Sequence, residues 1–191
     1  MELILASTSP YRRALLERLG VPFTAIAPDC DEDAVKSAGL PPLVVARRLA
    51  RQKVHSVCDR FPHAVVIGSD QVLDLEGERL DKPGSAEAAV RQLQRLAGRT
   101  HRLITAVAVA SPAGWIDWEN VSEMAMRTLP VDAMRRYVEA DNPWDCAGSY
   151  KLECRGVALF ERIHTDDQTA IIGLPLLKLT QVLTGLGFEI P

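Results

Sequence analysis

Leu5-Ala-Ser-Thr-Ser-Pro-Tyr-Arg-Arg13 is the stretch whose reading decides the fold. An apolar run from Leu3 to Ala6 stops at small hydroxylated residues, and a helix follows at once. Ser9 suits the cap position, Pro10 the first helical position, and Gly20 closes the helix. The two arginines are out of place by simple electrostatics. A helix N-terminus carries partial positive charge and unpaired N–H groups, so a cation there costs a few tenths to about 1 kcal/mol. An anion seated at the helix mouth would resolve this, with the Ser7, Thr8 and Ser9 hydroxyls, Arg12 and Arg13 converging on phosphate. The plainer alternative is a pair of solvent-facing arginines behind a serine that merely caps.

Working outward, 191 residues suit a single domain spanning residues 1–191, with two lobes at most, large enough to bury a sizeable core. A formal charge of −3 argues against a general nucleic-acid binder, which would normally be basic, and confines any anion site to a local cluster. The start, Met-Glu-Leu-Ile-Leu, lacks the basic segment and long apolar core of a signal peptide. No stretch reaches the ~18 uninterrupted apolar residues of a membrane span. Cys30, Cys58, Cys146 and Cys154 form no Cys-x-x-Cys pair, so free thiols in a reducing cytoplasm are expected rather than disulfides or zinc.

Strands and helices alternate along the chain. After the first strand and the helix over 10–19 comes a loop rich in Pro and Asp, holding Asp29, Asp31, Glu32 and Asp33. Pro41 and Pro42 open a long helix reaching Val57, with Ala46, Leu49, Ala50 and Val57 at helical spacing. Ala64–Ile67 reads as a short buried strand ending at Gly68-Ser-Asp-Gln71, with a second segment over 72–75. A helix runs from Ser85 to Gly98, and residues 100–110 and 115–128 read as a hairpin around Ser111-Pro-Ala-Gly114. A helix over 131–140, a strand over 157–163 and an apolar helix from Pro175 to Gly185 complete the pattern. The expected class is α/β, a mixed twisted sheet flanked by helices.

Asp70 is the first candidate for catalysis. Just past the end of a buried strand, a carboxylate can orient or deprotonate water or hold a divalent metal; a turn aspartate bonding its own backbone is the alternative. Lys53 interrupts an apolar helix stripe, either snorkelling at its edge or delivering an ammonium to a site. Lys82 stands in a tight Leu-Asp-Lys-Pro loop. Asp31-Glu32-Asp33 is either a solvated acidic loop or a source of carboxylate for magnesium, which prefers oxygen ligands and shared substrate phosphates. Two lysines, two arginines and a serine loop together suit a triphosphate. The four histidines lack metal-ligand spacing, and no Gly-x-x-x-x-Gly-Lys or Gly-x-Gly-x-x-Gly loop is present.

Leu5–Arg13, Asp31-Glu32, Lys53, Gly68-Ser-Asp-Gln71, Lys82-Pro83, Ala147-Gly-Ser149 and Gly173-Leu-Pro175 occur in one order along the chain. In that set the chain resembles the Maf family of nucleoside triphosphate pyrophosphatases over essentially its whole length. The resemblance implies a fold like that of inosine triphosphate pyrophosphatases, two lobes around a cleft. It also implies a divalent metal (Mg or Mn), a cytoplasmic location, a homodimer, and a small-molecule nucleotide substrate with no nucleic-acid polymer or membrane partner. The family releases a nucleoside monophosphate and pyrophosphate. By position, Asp70 resembles the proton acceptor that activates water. Ser7, Arg12, Arg13, Lys53 and Lys82 resemble the phosphate-binding set, and Glu32, with Asp70, the metal partner.

Tyr11, Gln71 and Glu153 bear on substrate, and here the chain is similar to the family branch acting on 7-methyl-GTP. Methylated guanine is cationic, so the Tyr11 ring can stack on it with cation–π character. Glu153 can accept from the guanine N1–H and amine, and Gln71 can contact base or ribose. Two other readings stand beside this one: the branch for dTTP and UTP, and a nucleotide-binding regulator of cell division, since the family is also associated with septum formation.

Overall fold

The computed structural model describes residues 1–190. Its strands and helices are β1 (Leu3–Ala6), α1 (Pro10–Glu17), β2 (Thr24–Ile26), α2 (Glu32–Lys36), α3 (Pro42–Cys58), β3 (Val65–Leu75), β4 (Glu78–Leu80), α4 (Ala86–Leu96), β5 (Thr100–Ser111), β6 (Gly114–Met126), α5 (Val131–Asp141), β7 (Phe160–His164), α6 (Gln168–Ile172) and α7 (Leu176–Gly185). The sheet runs β2-β1-β3-β5-β6-β7, with β4 paired to β3. β1 lies parallel to both β2 and β3, while β3–β4 and β6–β7 are antiparallel. The expected mixed sheet with helices is what forms. Among the described residues, no helix is long and apolar enough to cross a membrane.

The chain divides into two compact units, the first made of residues 1–71, 105–120 and 167 onward. Here the alternation of a strand decides what each face meets. Leu3 and Leu5 stand beside Val65 and Ile67 in register and join Leu15, Leu16, Leu179 and Leu183 in one buried core. The opposite face of β3 meets α3, and the contact is unusually close. A Cβ on Gly68 would lie 2.6 Å from the Ala50 carbonyl oxygen and 2.7 Å from a Val54 methyl. Only glycine allows α3 to approach this far. The second unit comprises residues 72–104 and 121–166. Within it α4 packs on α5, and His101, Tyr150 and Phe160 form a ring cluster.

Four local expectations are corrected. Gly68-Ser-Asp-Gln71 is no turn after a strand; it lies inside the 11-residue β3. Turn-like composition misleads here because Gly68 makes room for α3 and the three polar side chains find partners within the fold. The loop after α1 contains β2 and the five-residue α2, both too short to show periodicity. Residues 155–159 form a 3-10 turn rather than the start of a strand, and α6 precedes the last helix.

Candidate active site

The first link from sequence to site is α1. Ser9 caps it, its Oγ accepting from the Arg12 N–H at 3.4 Å, and Ser7 Oγ accepts from the Ser9 N–H at 3.2 Å. No acidic residue stands in the first turn to offset the two arginines. Their fates differ. Arg13 is exposed and pairs with Glu17 one turn on, at 3.1 Å. Arg12 turns inward, and its Nε donates to the Gly173 carbonyl at 2.9 Å. Burial lowers the Arg12 guanidinium below its ordinary value, with nearby Asp70 and Glu32 partly offsetting this. No carboxylate pairs with Arg12 within ion-pair distance among the described residues. Tyr11, between these residues and Pro10, is half-buried.

The close packing of α3 on β3 delivers the second link. Lys53 follows Ala50 by three positions on α3, and Asp70 follows Gly68 by two on the same face of β3. Lys53 Nζ donates to Asp70 Oδ1 at 2.6 Å, and the two residues are 5% and 6% exposed. Glu32 opens α2 behind its cap Asp31 and places Oε1 2.9 Å from the same ammonium. The second Glu32 oxygen takes Lys36 at 2.8 Å. Burial pushes the Glu32 carboxyl up, but Lys53 and Lys36 oppose it and hold the group down at about 2. Lys53 therefore bridges two carboxylates rather than snorkelling. Buried ion pairs contribute little net stability because both charges lose water, so this arrangement is poorly explained by stability alone.

The donor set can be tested against a divalent metal. No group of three or more His, Cys, Asp or Glu side chains clusters to hold one among the described residues. Asp70 and Glu32 supply hard oxygens from two carboxylates, and Asp70 Oδ2 takes no hydrogen bond from the described residues. That set fits Mg or Mn arriving with substrate phosphates, since magnesium commonly uses one or two carboxylates and leaves its remaining positions to phosphate and water. It does not make a protein-only cage.

Gln71 is engaged by its own protein. Its amide nitrogen lies 3.0 Å from Thr105 Oγ1, 2.9 Å from the Ala170 carbonyl and 3.0 Å from the Ile171 carbonyl. Among the described residues, its side-chain carbonyl oxygen takes no hydrogen bond. Lys82 and Glu153 belong to the second unit, and both are exposed. Lys82 follows β4, on a concave surface shared with Arg79, Arg91 and Arg95. The segment carrying Glu153 is pinned from α5. Tyr137 Oη accepts from the Lys151 N–H at 2.8 Å, and Asp141 Oδ2 accepts from the Arg155 N–H at 2.8 Å.

Sequence reasoning missed several members. Lys36 was within reach of it, because Glu32 and Lys36 are four apart on a helix. Gly173 stands in the Gly173-Leu-Pro175 motif, but nothing local marks its carbonyl as the partner of Arg12. It receives Arg12 from 161 positions away and Ser69 Oγ, at 3.0 Å, from 104. Thr105 left no signal either, as one hydroxyl within an apolar strand.

The family model described as Maf-like protein matches residues 2–186. The 7-methyl-GTP pyrophosphatase of Xanthomonas axonopodis pv. citri (strain 306) is 46% identical, over 99% of this chain and 98% of its own. The protein of the same name from Aromatoleum aromaticum (strain DSM 19018 / LMG 30748 / EbN1) is 46% identical, over 100% and 98%. Among solved structures, a HAM1 protein from Coxiella burnetii shares the fold with a TM-score of 0.54 at 15% identity, covering 97% of this chain and 99% of that one.

Proposed function

This chain belongs to the Maf-like protein family, and on that premise we propose that it is a nucleoside triphosphate pyrophosphatase whose substrate is 7-methyl-GTP. The observation that carries the reading is the Asp70–Lys53–Glu32 cluster together with a half-buried Arg12 that has no carboxylate within ion-pair distance among the described residues. Two cations and two carboxylates, of which Lys53 and Asp70 are buried, suit a polyanion and a water to be activated.

In this account Ser7, Arg12 and Lys53 bind phosphate oxygens, with Lys82 and Arg13 as further cations for the chain of phosphates. Asp70 orients a water and takes its proton as the oxygen attacks the α-phosphorus. The bond from that phosphorus to the bridging oxygen breaks, and pyrophosphate leaves with the electron pair. Products are the nucleoside monophosphate and pyrophosphate. A divalent metal (Mg or Mn) held by Asp70, Glu32 and the phosphates would neutralise charge on the transferred group. Lys53 fixes the Asp70 carboxylate through Oδ1, and the proton acceptor in this account is that carboxylate. Charges placed before reaction lower the barrier because they need no reorganisation as charge develops.

Base preference rests on Tyr11, Glu153 and the oxygen of Gln71. A cationic methylated guanine gains from an aromatic face and from a carboxylate at its N1–H and amine edge. The names of the two relatives point the same way. The site is taken to work within one domain spanning residues 1–191, as a homodimer in the cytoplasm. Side-by-side kcat/KM for 7-methyl-GTP, UTP and dTTP, read by pyrophosphate release, tests the assignment. It predicts 7-methyl-GTP first; a higher value for either pyrimidine nucleotide contradicts it.

A further inference from the structure

Arg12 is aimed by a backbone carbonyl, so whatever fixes that carbonyl fixes the guanidinium. The Gly173 carbonyl ends the short turn from Ala170 to Gly173, and it accepts from both Arg12 Nε and Ser69 Oγ. Gly173 itself sits at φ +124°, a conformation other residues rarely adopt, with Arg12 Nε 3.5 Å from where its Cβ would stand. Three carbonyls of the turn are held from the sheet. The Gln71 amide reaches those of Ala170 and Ile171, Thr105 Oγ1 donates to that of Ala170 at 2.8 Å, and Ser69 takes that of Gly173. Thr105 is 1% exposed and does two things at once. Its oxygen accepts from the Gln71 amide at 3.0 Å while its proton goes to Ala170. With two protons for three acceptors, the Gln71 amide shares one of them, and Thr105 adds to the hold that the Ala170 and Ile171 carbonyls already have on it. Buried hydrogen-bonded groups of this kind act as a unit, because each leaves a desolvated partner behind if removed.

We propose that Thr105 is a positioning residue for phosphate binding: with Gln71 and Ser69 it locks the Ala170–Gly173 turn and so aims Arg12. This rests on reading Arg12 as a phosphate contact. The amide that base recognition would otherwise use is, on this reading, part of the phosphate end of the site.

Thr105→Val keeps the shape of the side chain and removes the hydroxyl. Steady-state pyrophosphate release from 7-methyl-GTP should show KM raised about tenfold with kcat within about twofold, the pattern of lost binding rather than lost chemistry. Thr105→Ser should return KM to within about twofold of the parent. In an Arg12→Ala background the further effect of Thr105→Val should shrink to less than about twofold, because residues acting through one another are not additive. Should Thr105→Val fail to fold, Ser69→Ala, which removes one hydroxyl from the Gly173 carbonyl, carries the same cycle. A loss that persists in full without Arg12 overturns the lock alone, as does an unchanged KM in Thr105→Val. An Arg12→Ala enzyme with unaltered KM overturns the phosphate reading beneath it.

Discussion

Gly68 and Ala50 touch where a side chain would not fit: a Cβ on Gly68 would stand 2.6 Å from the Ala50 carbonyl oxygen. Three residues further along α3 is Lys53, and two further along β3 is Asp70. Gly68→Ala must therefore push the helix backbone away from the strand, since the nearest atom is a backbone carbonyl oxygen that no change of rotamer can move. Overpacking of this kind costs about 1–3 kcal/mol of stability. A displacement near 1 Å at a reacting group can cost about a hundredfold in rate. We expect kcat/KM to fall by one to two orders of magnitude, with the denaturant midpoint lowered. Activity equal to the parent would show that the spacing of α3 does not set the Lys53–Asp70 contact.

The region between α1 and α3 shows how legible this molecule was. The first strand and helix, the Ser9 cap and Asp70 as a candidate can be named from residue type and spacing. Lys53 stays open between two readings, and Glu32 is singled out from its acidic group only by the family resemblance. The environment of Asp70 could not be read this way. Gly-Ser-Asp-Gln has the composition of a turn, and only the approach of α3 explains a glycine and an aspartate inside a buried strand. Arg12 and Arg13 look equivalent in sequence, yet one meets the Gly173 carbonyl and the other Glu17. Which neighbour a side chain finds across 161 residues is a property of tertiary packing, so no local pattern contains it. The helix α2 and the turn 170–173 are likewise too short to declare themselves by period.

Acid should weaken the cluster through Glu32. Burial alone would raise this carboxyl, but Lys53 and Lys36 hold it down at about 2, below its ordinary 4.5. A group depressed in the folded state contributes fully above its unfolded value and loses that contribution as pH falls towards the folded one. Urea midpoints should thus fall between about pH 4.5 and pH 2, and Glu32→Gln should flatten this part of the profile. An identical profile in the variant would show that the contact carries no pH-linked stability.

A second acid-sensitive group lies in the other unit. Burial lowers His101 to about 4 from 6.5, while its Nε2 meets Tyr150 Oη at 2.8 Å. The unfolded chain binds a proton on this residue at a higher pH than the folded one does, so stability is full above about 6.5 and declines towards 4. The loss is on the order of 3 kcal/mol. His101→Gln, which keeps a polar partner for Tyr150, should give denaturant midpoints that vary less between pH 7 and pH 4.5. Midpoints falling as steeply as in the parent would contradict this.

Base recognition has its own signature. Tyr11→Ala and Glu153→Ala should each lower kcat/KM for 7-methyl-GTP more than for UTP, by about 1–2 kcal/mol for the stacking change at Tyr11. Competition between the two nucleotides measures the difference directly. Equal losses on both would show that neither residue reads the base.

The most direct measurement is pyrophosphate release by Asp70→Asn alongside nucleotide affinity of the same protein. A positioned base contributes about a hundredfold to ten-thousandfold, whereas Arg12, Ser7 and Lys53 remain to hold the phosphates. The account predicts turnover of 7-methyl-GTP reduced by at least about a hundredfold, with binding within a few-fold of the parent. Near-normal turnover in Asp70→Asn would contradict it.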